Sequence, residues 1–254
     1  MKYLLAFIFL FHLLLKSQTN SKQTLEHTQT WFSVNASLRF TEKWGLMADV
    51  HERREEGLKY NFFHFIRAGA IYWISGKYPV ALGYAHNWLA PKPGQTTWQQ
   101  ENRIFQQWSY SEKRGKSGRF TRLRTEQRWR DAVVNDVYTG QVWFSFRFRV
   151  LTSFEFDLFS NTHLPKLVIS DEVMIQAGEQ IVYNTFDQNR FFIGIKYALY
   201  ENVSLDCGYM NVFQQQTNGY TYDMSHVFRL FFYYTPDFRK KTETPSVSVY
   251  ENTE

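Results

Sequence analysis

Cysteine is nearly absent: Cys207 is the only one in a chain of 254 residues. A single thiol cannot close an internal disulfide or supply a cysteine-based zinc site, which excludes disulfide-stapled secreted scaffolds and zinc ribbons. Cys207 sits between Leu205 and Tyr209 on an apolar face and reads as a small buried hydrophobe. Long apolar runs are missing too. Beyond residue 16 no uninterrupted stretch could span a bilayer as a helix, which excludes a helical membrane protein. Dense basic runs are also lacking. The formal net charge of +5 is modest, and part of it comes from Lys2 and Lys16, so nucleic acid is not an expected partner. His12, His27, His51, His64, His86, His163 and His226 form no H-x-x-x-H or other metal-ligand spacing, so neither metal nor cofactor is expected. No G-x-S-x-G is present. Ser225-His226 and Ser160-Asn161-Thr162-His163 are the two neighbourhoods in which a Ser–His hydrolase could be sought.

What the chain does have is aromatic residues, 19% of the total, with 24 Phe, 16 Tyr and 8 Trp. That is too apolar for disorder, yet the mean hydropathy is only −0.44. Both facts fit strands in which every second side chain is apolar. From Trp31 to Thr41, Phe32, Val34, Ala36, Leu38 and Phe40 are apolar, while Ser33, Asn35, Ser37, Arg39 and Thr41 are polar. Strand side chains alternate between faces with period two, so the stretch has one oily and one wet face. The pattern recurs in 140–150, 189–198, 203–210 and 227–234.

Residues 1–18 read as a secretory signal, with Lys2 before an apolar core from Leu4 to Leu15 that is too short for a membrane helix. No linker divides the remainder. Strand-like runs fall at about 31–40, 45–54, 60–74, 79–90, 98–110, 119–131, 140–153, 165–177, 188–199, 202–214 and 224–235, separated by turn chemistry such as Ser75-Gly76-Lys77 and Thr217-Asn218-Gly219. This is an odd number, whereas bacterial single-chain barrels have an even one. The expectation is therefore ten to twelve strands, with either one run miscounted or another hidden between Leu151 and Thr162. Residues 236–254 read as a flexible polar tail after a barrel domain of 19–235.

By parity the wet faces carry Arg39, Asp49, Arg53, Arg67, Glu101, Arg103, Arg122, Arg124, Glu126, Arg128, Arg147, Arg149, Glu172, Arg190, Lys196, Asp206 and Arg229, with cations in excess. The core of the proposed charge network is Glu101, Arg103, Arg124, Glu126, Arg128, Arg147, Arg149, Glu172 and Arg190. Glu126 is expected to meet Arg103 or Arg147 on adjacent strands, and Glu172 to meet Arg190. Such a network either fills and braces the barrel or focuses anions into a narrow pore. The eight tryptophans lie mostly near strand ends, as interfacial girdles would require, although packing in a soluble β protein would also accommodate them. Two places break the alternation: Gln100, Asn102 and Gln106 oppose Glu101 and Arg103, and Asp171 opposes Glu172. A bulge or strand ends standing above the bilayer would explain both, and so would a barrel that is not embedded in lipid.

Glu101-Asn102-Arg103-Ile104-Phe105-Gln106-Gln107-Trp108 and Arg122-Leu123-Arg124-Thr125-Glu126-Gln127-Arg128-Trp129 resemble a family of uncharacterised bacterial barrel proteins known only as a domain of unknown function. Phe146-Arg147-Phe148-Arg149, Asp171-Glu172, Phe186-Asp187-Gln188-Asn189-Arg190-Phe191 and Gly208-Tyr209-Met210 extend the match, which runs from about Trp31 to Tyr234. The resemblance implies an outer-membrane barrel, of a kind common in Bacteroidota, and implies no activity. Phe228–Tyr234 also resembles the aromatic final strand read by barrel-assembly machinery, although here a tail follows it.

The sequence thus predicts an all-β protein, a monomeric, antiparallel, up-and-down transmembrane barrel with an Arg/Glu-rich lumen. Its place is the cell outer membrane and its partners are outer-membrane lipids and the assembly machinery. Its role is structural or that of a narrow anion-preferring channel. The alternatives are an outer-membrane lipid hydrolase or lipopolysaccharide-modifying enzyme, and a soluble exported barrel that binds an apolar ligand.

Overall fold

Period-two patterning commits each run to a strand with one buried face, and the strands close on one another into a barrel. The computed structural model describes residues 21–91, 93–159 and 164–239. Its strands are β1 Gln23–Arg39, β2 Trp44–Glu55, β3 Tyr60–Ser75, β4 Tyr78–Leu89, β5 Gln99–Arg114, β6 Ser117–Val134, β7 Val137–Asp157, β8 Lys166–Ala177, β9 Phe186–Tyr200, β10 Val203–Gln215 and β11 Thr221–Tyr234. No helix among the described residues is long and apolar enough to cross a membrane.

Each strand pairs antiparallel with the next, and β1 closes the barrel against β11. That last pair is parallel, in register from Gln23 beside Thr221 to Ala36 beside Tyr234. The expectation of an even count, and of a wholly antiparallel wall, is therefore corrected. When an up-and-down barrel has an odd number of strands, the first and last run the same way and can only meet in parallel. All eleven runs are strands, and among the described residues no further strand follows Leu151 before β8; β7 continues to Asp157.

The odd count also sends the two ends of the barrel chain to opposite rims. The first rim carries the start of β1 and the β2–β3, β4–β5, β6–β7, β8–β9 and β10–β11 connections. The second rim carries the remaining turns and the end of β11. At the first rim β6 and β7 join through Asn135 and Asp136, at φ 51° and 63°. Two consecutive left-handed residues make a type I′ turn, whose twist matches the strands, and Asn and Asp tolerate it best.

The outer wall is apolar. Val34 and Val50 are each 57% exposed, and Leu82, Phe148 and Phe228 also stand out from it. Inward side chains are buried, but they are less uniformly polar than predicted. Trp31 and Trp73 point into the barrel at 3% and 1% exposure, which corrects their assignment to an outer girdle. Phe105 and Phe192 are inward as well, each 1% exposed. Cys207 is half-buried on the outer wall rather than in a core.

Two glycine pairs make room for the inward rings. Gly69 faces Gly83 across β3 and β4, and a Cβ on Gly83 would lie 2.6 Å from two carbons of Phe105. Gly194 faces Gly208 across β9 and β10, and a Cβ on Gly194 would lie 2.5 Å from Phe192. A ring laid over a cross-strand glycine pair replaces the packing that the missing side chains would supply.

A bulge does not cause the two breaks in alternation. Pairing of β5 with β4 and β6 runs without a register shift, so no bulge redirects Gln100, Asn102 or Gln106. They lie on the outer wall, where Tyr84 donates to Asn102 at 2.5 Å and Gln106 and Gln127 exchange amide hydrogen bonds at 3.1 Å. Asp171 likewise faces outward and accepts from Asn189 at 2.8 Å.

Residues 1–18, His163 and 240–254 lie outside the described residues. Residues 236–239, assigned to the tail from sequence, are tied to β1. Phe238 N–H donates to the Arg39 carbonyl at 2.8 Å, Phe238 stacks on Phe40 at 5.8 Å, and Arg239 pairs with Glu42 at 2.7 Å.

Candidate functional site: the charged lumen

The middles of the inward faces of β5 to β9 carry Arg, Glu and Asp among Ser, Gln and apolar side chains, and the barrel closes them around a common space. Glu126 on β6 lies at the centre. Arg147 Nη2 donates to its Oε2 at 2.5 Å and Arg149 Nη1 to its Oε1 at 2.7 Å. Arg103 lies 3.7 Å away and Arg124 3.8 Å away. Both partners proposed from sequence, Arg103 and Arg147, therefore reach this carboxylate.

Glu172 on β8 is a second hub. Arg149 grips it with two parallel bonds of 3.0 and 2.9 Å, Arg122 donates at 2.6 Å, and Arg190 stands 3.7 Å away. Glu101 on β5 takes Arg103, Arg130 at 2.6 Å, and the Asn87 amide at 3.3 Å. Arg147 connects the lattice to β9 through Asp187 at 3.1 Å. Shared carboxylates with forked guanidinium donors cross-link strands that do not touch, so the lattice ties β5 to β9 across the lumen.

Two of the nine residues are held mainly by neutral groups. Arg124 donates to Gln107 Oε1 at 3.0 and 2.5 Å and lies over Phe105, 5.0 Å from the ring centroid. Arg128 donates to Ser145 Oγ at 3.0 Å and to Gln176 Oε1 at 2.6 Å. Eight of the nine line one cavity of about 1050 Å³, and Glu101 is fully buried behind them.

Asp187, Arg130 and Gln176 belong to this lattice but were not read as site residues. Arg130 and Gln176 share parity with Arg128 and Glu172, so extending the alternation to the strand ends would have found them. Asp187 could not be found that way. A register shift at Met174/Ile175 turns both Asp187 and Gln188 inward, and parity has no rule for that.

Apart from the lattice, β2 and β3 hold Asp49 between Arg67 at 2.8 Å and His51 at 3.1 Å. Asp206 and Arg229 pair at 3.1 Å between β10 and β11. Arg53 on β2 is different. Its guanidinium lies 3.6 Å from the Trp31 ring centroid and 4.5 Å from that of Phe63. Its buried Nε has no hydrogen-bond partner, and no carboxylate pairs with it among the described residues.

Of the two hydrolase neighbourhoods, 160–163 lies outside the described residues, and Ser225-His226 does not assemble. Ser225 is buried inside, whereas His226 faces outward and hydrogen-bonds Tyr209 at 2.7 Å, so these adjacent residues lie on opposite sides of the wall.

At the first rim the β6–β7 turn is tied to the β4–β5 loop. Asp136 accepts from the backbone N–H of Thr97 at 2.8 Å and of Thr96 at 2.9 Å. These hydrogen bonds to the ionised form hold its carboxyl below the ordinary aspartate value. At the second rim, the Arg239 guanidinium does the same to Asp237.

No curated protein and no solved structure matches the chain. Its residues 28–251 match DUF2490, a family described as protein of unknown function, and the chain belongs to that family.

Proposed function

We propose that this protein is an outer-membrane β-barrel whose lumen passes small anions between an arginine-rich wall and an aromatic one. The observation that carries the reading is the shape and charge of the interior. The cavity of about 1050 Å³ is lined from the first rim, at His27, Pro93 and Thr217, to the second, at Ser37, Pro79 and Thr235. Arginines crowd its waist, and clustered cations between low-dielectric walls concentrate anions.

The outer wall supports the membrane part of the reading. Strands of 12 to 21 residues exceed the nine to eleven or so needed for a tilted crossing. Exposed Val, Leu, Ile and Phe cover most of the wall, more than a soluble monomer ordinarily shows. Aromatic groups gather near both rims: Tyr78, Trp108 and Tyr110 stack at the second, and Phe213 and Tyr222 stack under Lys22 at the first. On this reading the partners are outer-membrane lipids and the barrel-assembly machinery.

Two measurements test it. Membrane fractionation with boiled and unboiled gel samples should give an outer-membrane species that runs faster unboiled. Conductance of the purified barrel in a bilayer under a potassium chloride gradient should then show a reversal potential of anion sign. A soluble periplasmic protein would overturn the membrane reading, and a silent or cation-selective barrel would overturn the passage.

A further inference from the structure

Most lumen cations have a carboxylate, but Arg53 has none. Arg103, Arg147, Arg149 and Arg190 line the same cavity. Arg147 and Arg149 are already held by Glu126, Asp187 and Glu172. Arg190 shares Glu172 at 3.7 Å and also faces Trp31, 5.0 Å from the ring centroid. Trp31 is thus a platform shared by two guanidinium groups, only one of which has an anionic partner. A half-buried guanidinium that lines the cavity without a carboxylate is a ready partner for an anion.

The surroundings define that anion. Arg53 lies against Trp31 and Phe63, and Phe192 packs in the same cluster as Trp31. A strongly hydrated inorganic ion would exchange its water for ring faces, which accept no charge. An organic anion can set its carboxylate on the guanidinium donors and its apolar body on the rings.

We infer that the lumen holds a site for small organic anions with an apolar body, with Arg53 and Arg190 binding the charged group and Trp31 and Phe63 packing on the rest. The inference rests on the reading of the lumen as a solute passage and names the class of solute. Arg53 grips the anion with donors that no protein group uses, so the site is vacated without breaking the lattice that holds the barrel.

The test uses the full chain folded in detergent micelles, titrated with sodium benzoate at constant ionic strength and followed by calorimetry and tryptophan fluorescence. Benzoate should bind saturably, and neutral benzyl alcohol and chloride more weakly. Arg53→Gln should weaken benzoate by about tenfold, the loss of one charge-assisted hydrogen bond. Arg119→Gln, at an exposed position of β6 far from the lumen, should change nothing. If R53Q does not show the heat-dependent gel shift of a folded barrel, the wild type decides alone: benzoate, and not benzyl alcohol, should raise its unfolding temperature. Equal binding of benzoate and chloride, or unchanged benzoate binding by folded R53Q, would overturn the site. Saturable binding without bilayer conductance would uphold the site and remove the passage; anion-selective conductance without saturable binding would do the reverse.

Discussion

Two walls of the same lumen handle buried charge in opposite ways. On β5 to β8 each arginine is matched to a shared carboxylate or amide, as where Glu126 joins Arg147 and Arg149. On the wall formed by β1, β2, β3 and β11, Arg67 and Arg229 keep a carboxylate in Asp49 and Asp206, but the cations also lie on rings. Arg53 covers Trp31 and Phe63, and Arg229 lies 4.1 Å from the Phe192 centroid and 4.2 Å from that of Phe231. The first wall is a brace: remove a hub and several buried charges lose their counter-ion. On the second, Arg53 keeps donors free, which suits a surface that must bind and release. One alternating pattern therefore serves both stability and recognition, according to whether a carboxylate stands opposite.

The largest expected effect comes from breaking the brace. Glu126→Gln leaves Arg147 and Arg149 short of their central partner and should destabilise the barrel by about 3–5 kcal/mol, the usual cost of orphaning a buried ion. Unfolding followed by the gel shift in urea would read it; a loss below about 1 kcal/mol would dissolve the contrast between the walls. Next comes the packing that seats Phe105. A Cβ at Gly83 would stand 2.3 Å from the Ala68 carbonyl oxygen, so Gly83→Val should cost about 1–3 kcal/mol in the same assay through overpacking.

On the aromatic wall Arg53→Met removes an unpaired charge while keeping an apolar stem over Trp31 and Phe63. Lost cation–π attraction and relieved burial of charge oppose each other, and stability in low-salt buffer should change by no more than about 1 kcal/mol. A loss as large as that of Glu126→Gln would show that both walls are structural.

The smallest effect lies at the first rim. Asp136 has a depressed folded pKa, so its tie to Thr96 and Thr97 is in place above the ordinary aspartate value near 4 and is released as pH falls through the lower folded value. Amide protection at Thr96 and Thr97 should persist at neutral pH and fade in acid. Asp136→Asn should lower it at every pH, leaving the unfolding midpoint of the barrel unmoved. Unchanged protection in the variant would mean that the loop is held by other contacts.

Legibility from sequence followed the regularity of the backbone. The strands and the inward set Glu101, Arg103, Glu126, Arg147, Arg149 and Glu172 follow from period-two alternation, which needs no knowledge of neighbours. The alternation could not rank the aromatics. Trp31 begins the strand-like run read from sequence and looked like a girdle residue, yet β1 starts at Gln23, and mid-strand Trp31 points into the barrel with Ser33 and Arg39, which share its parity. Asp187 escaped because a bulge breaks the rule that made the others visible.

By itself the sequence determined that the chain is a set of two-faced strands, since the spacing of Phe, Val and Arg decides which side chains share a face. It also determined that arginines would collect on one side of the wall. Only the tertiary structure decided that eleven strands close through a parallel seam, because closure depends on which edges meet after the sheet has curled. Only it decided which cations find carboxylates. Glu126 reaches Arg147 across one strand pair, while Arg53 meets the Trp31 and Phe63 rings instead, because cross-lumen neighbours are set by register and barrel curvature rather than by sequence distance.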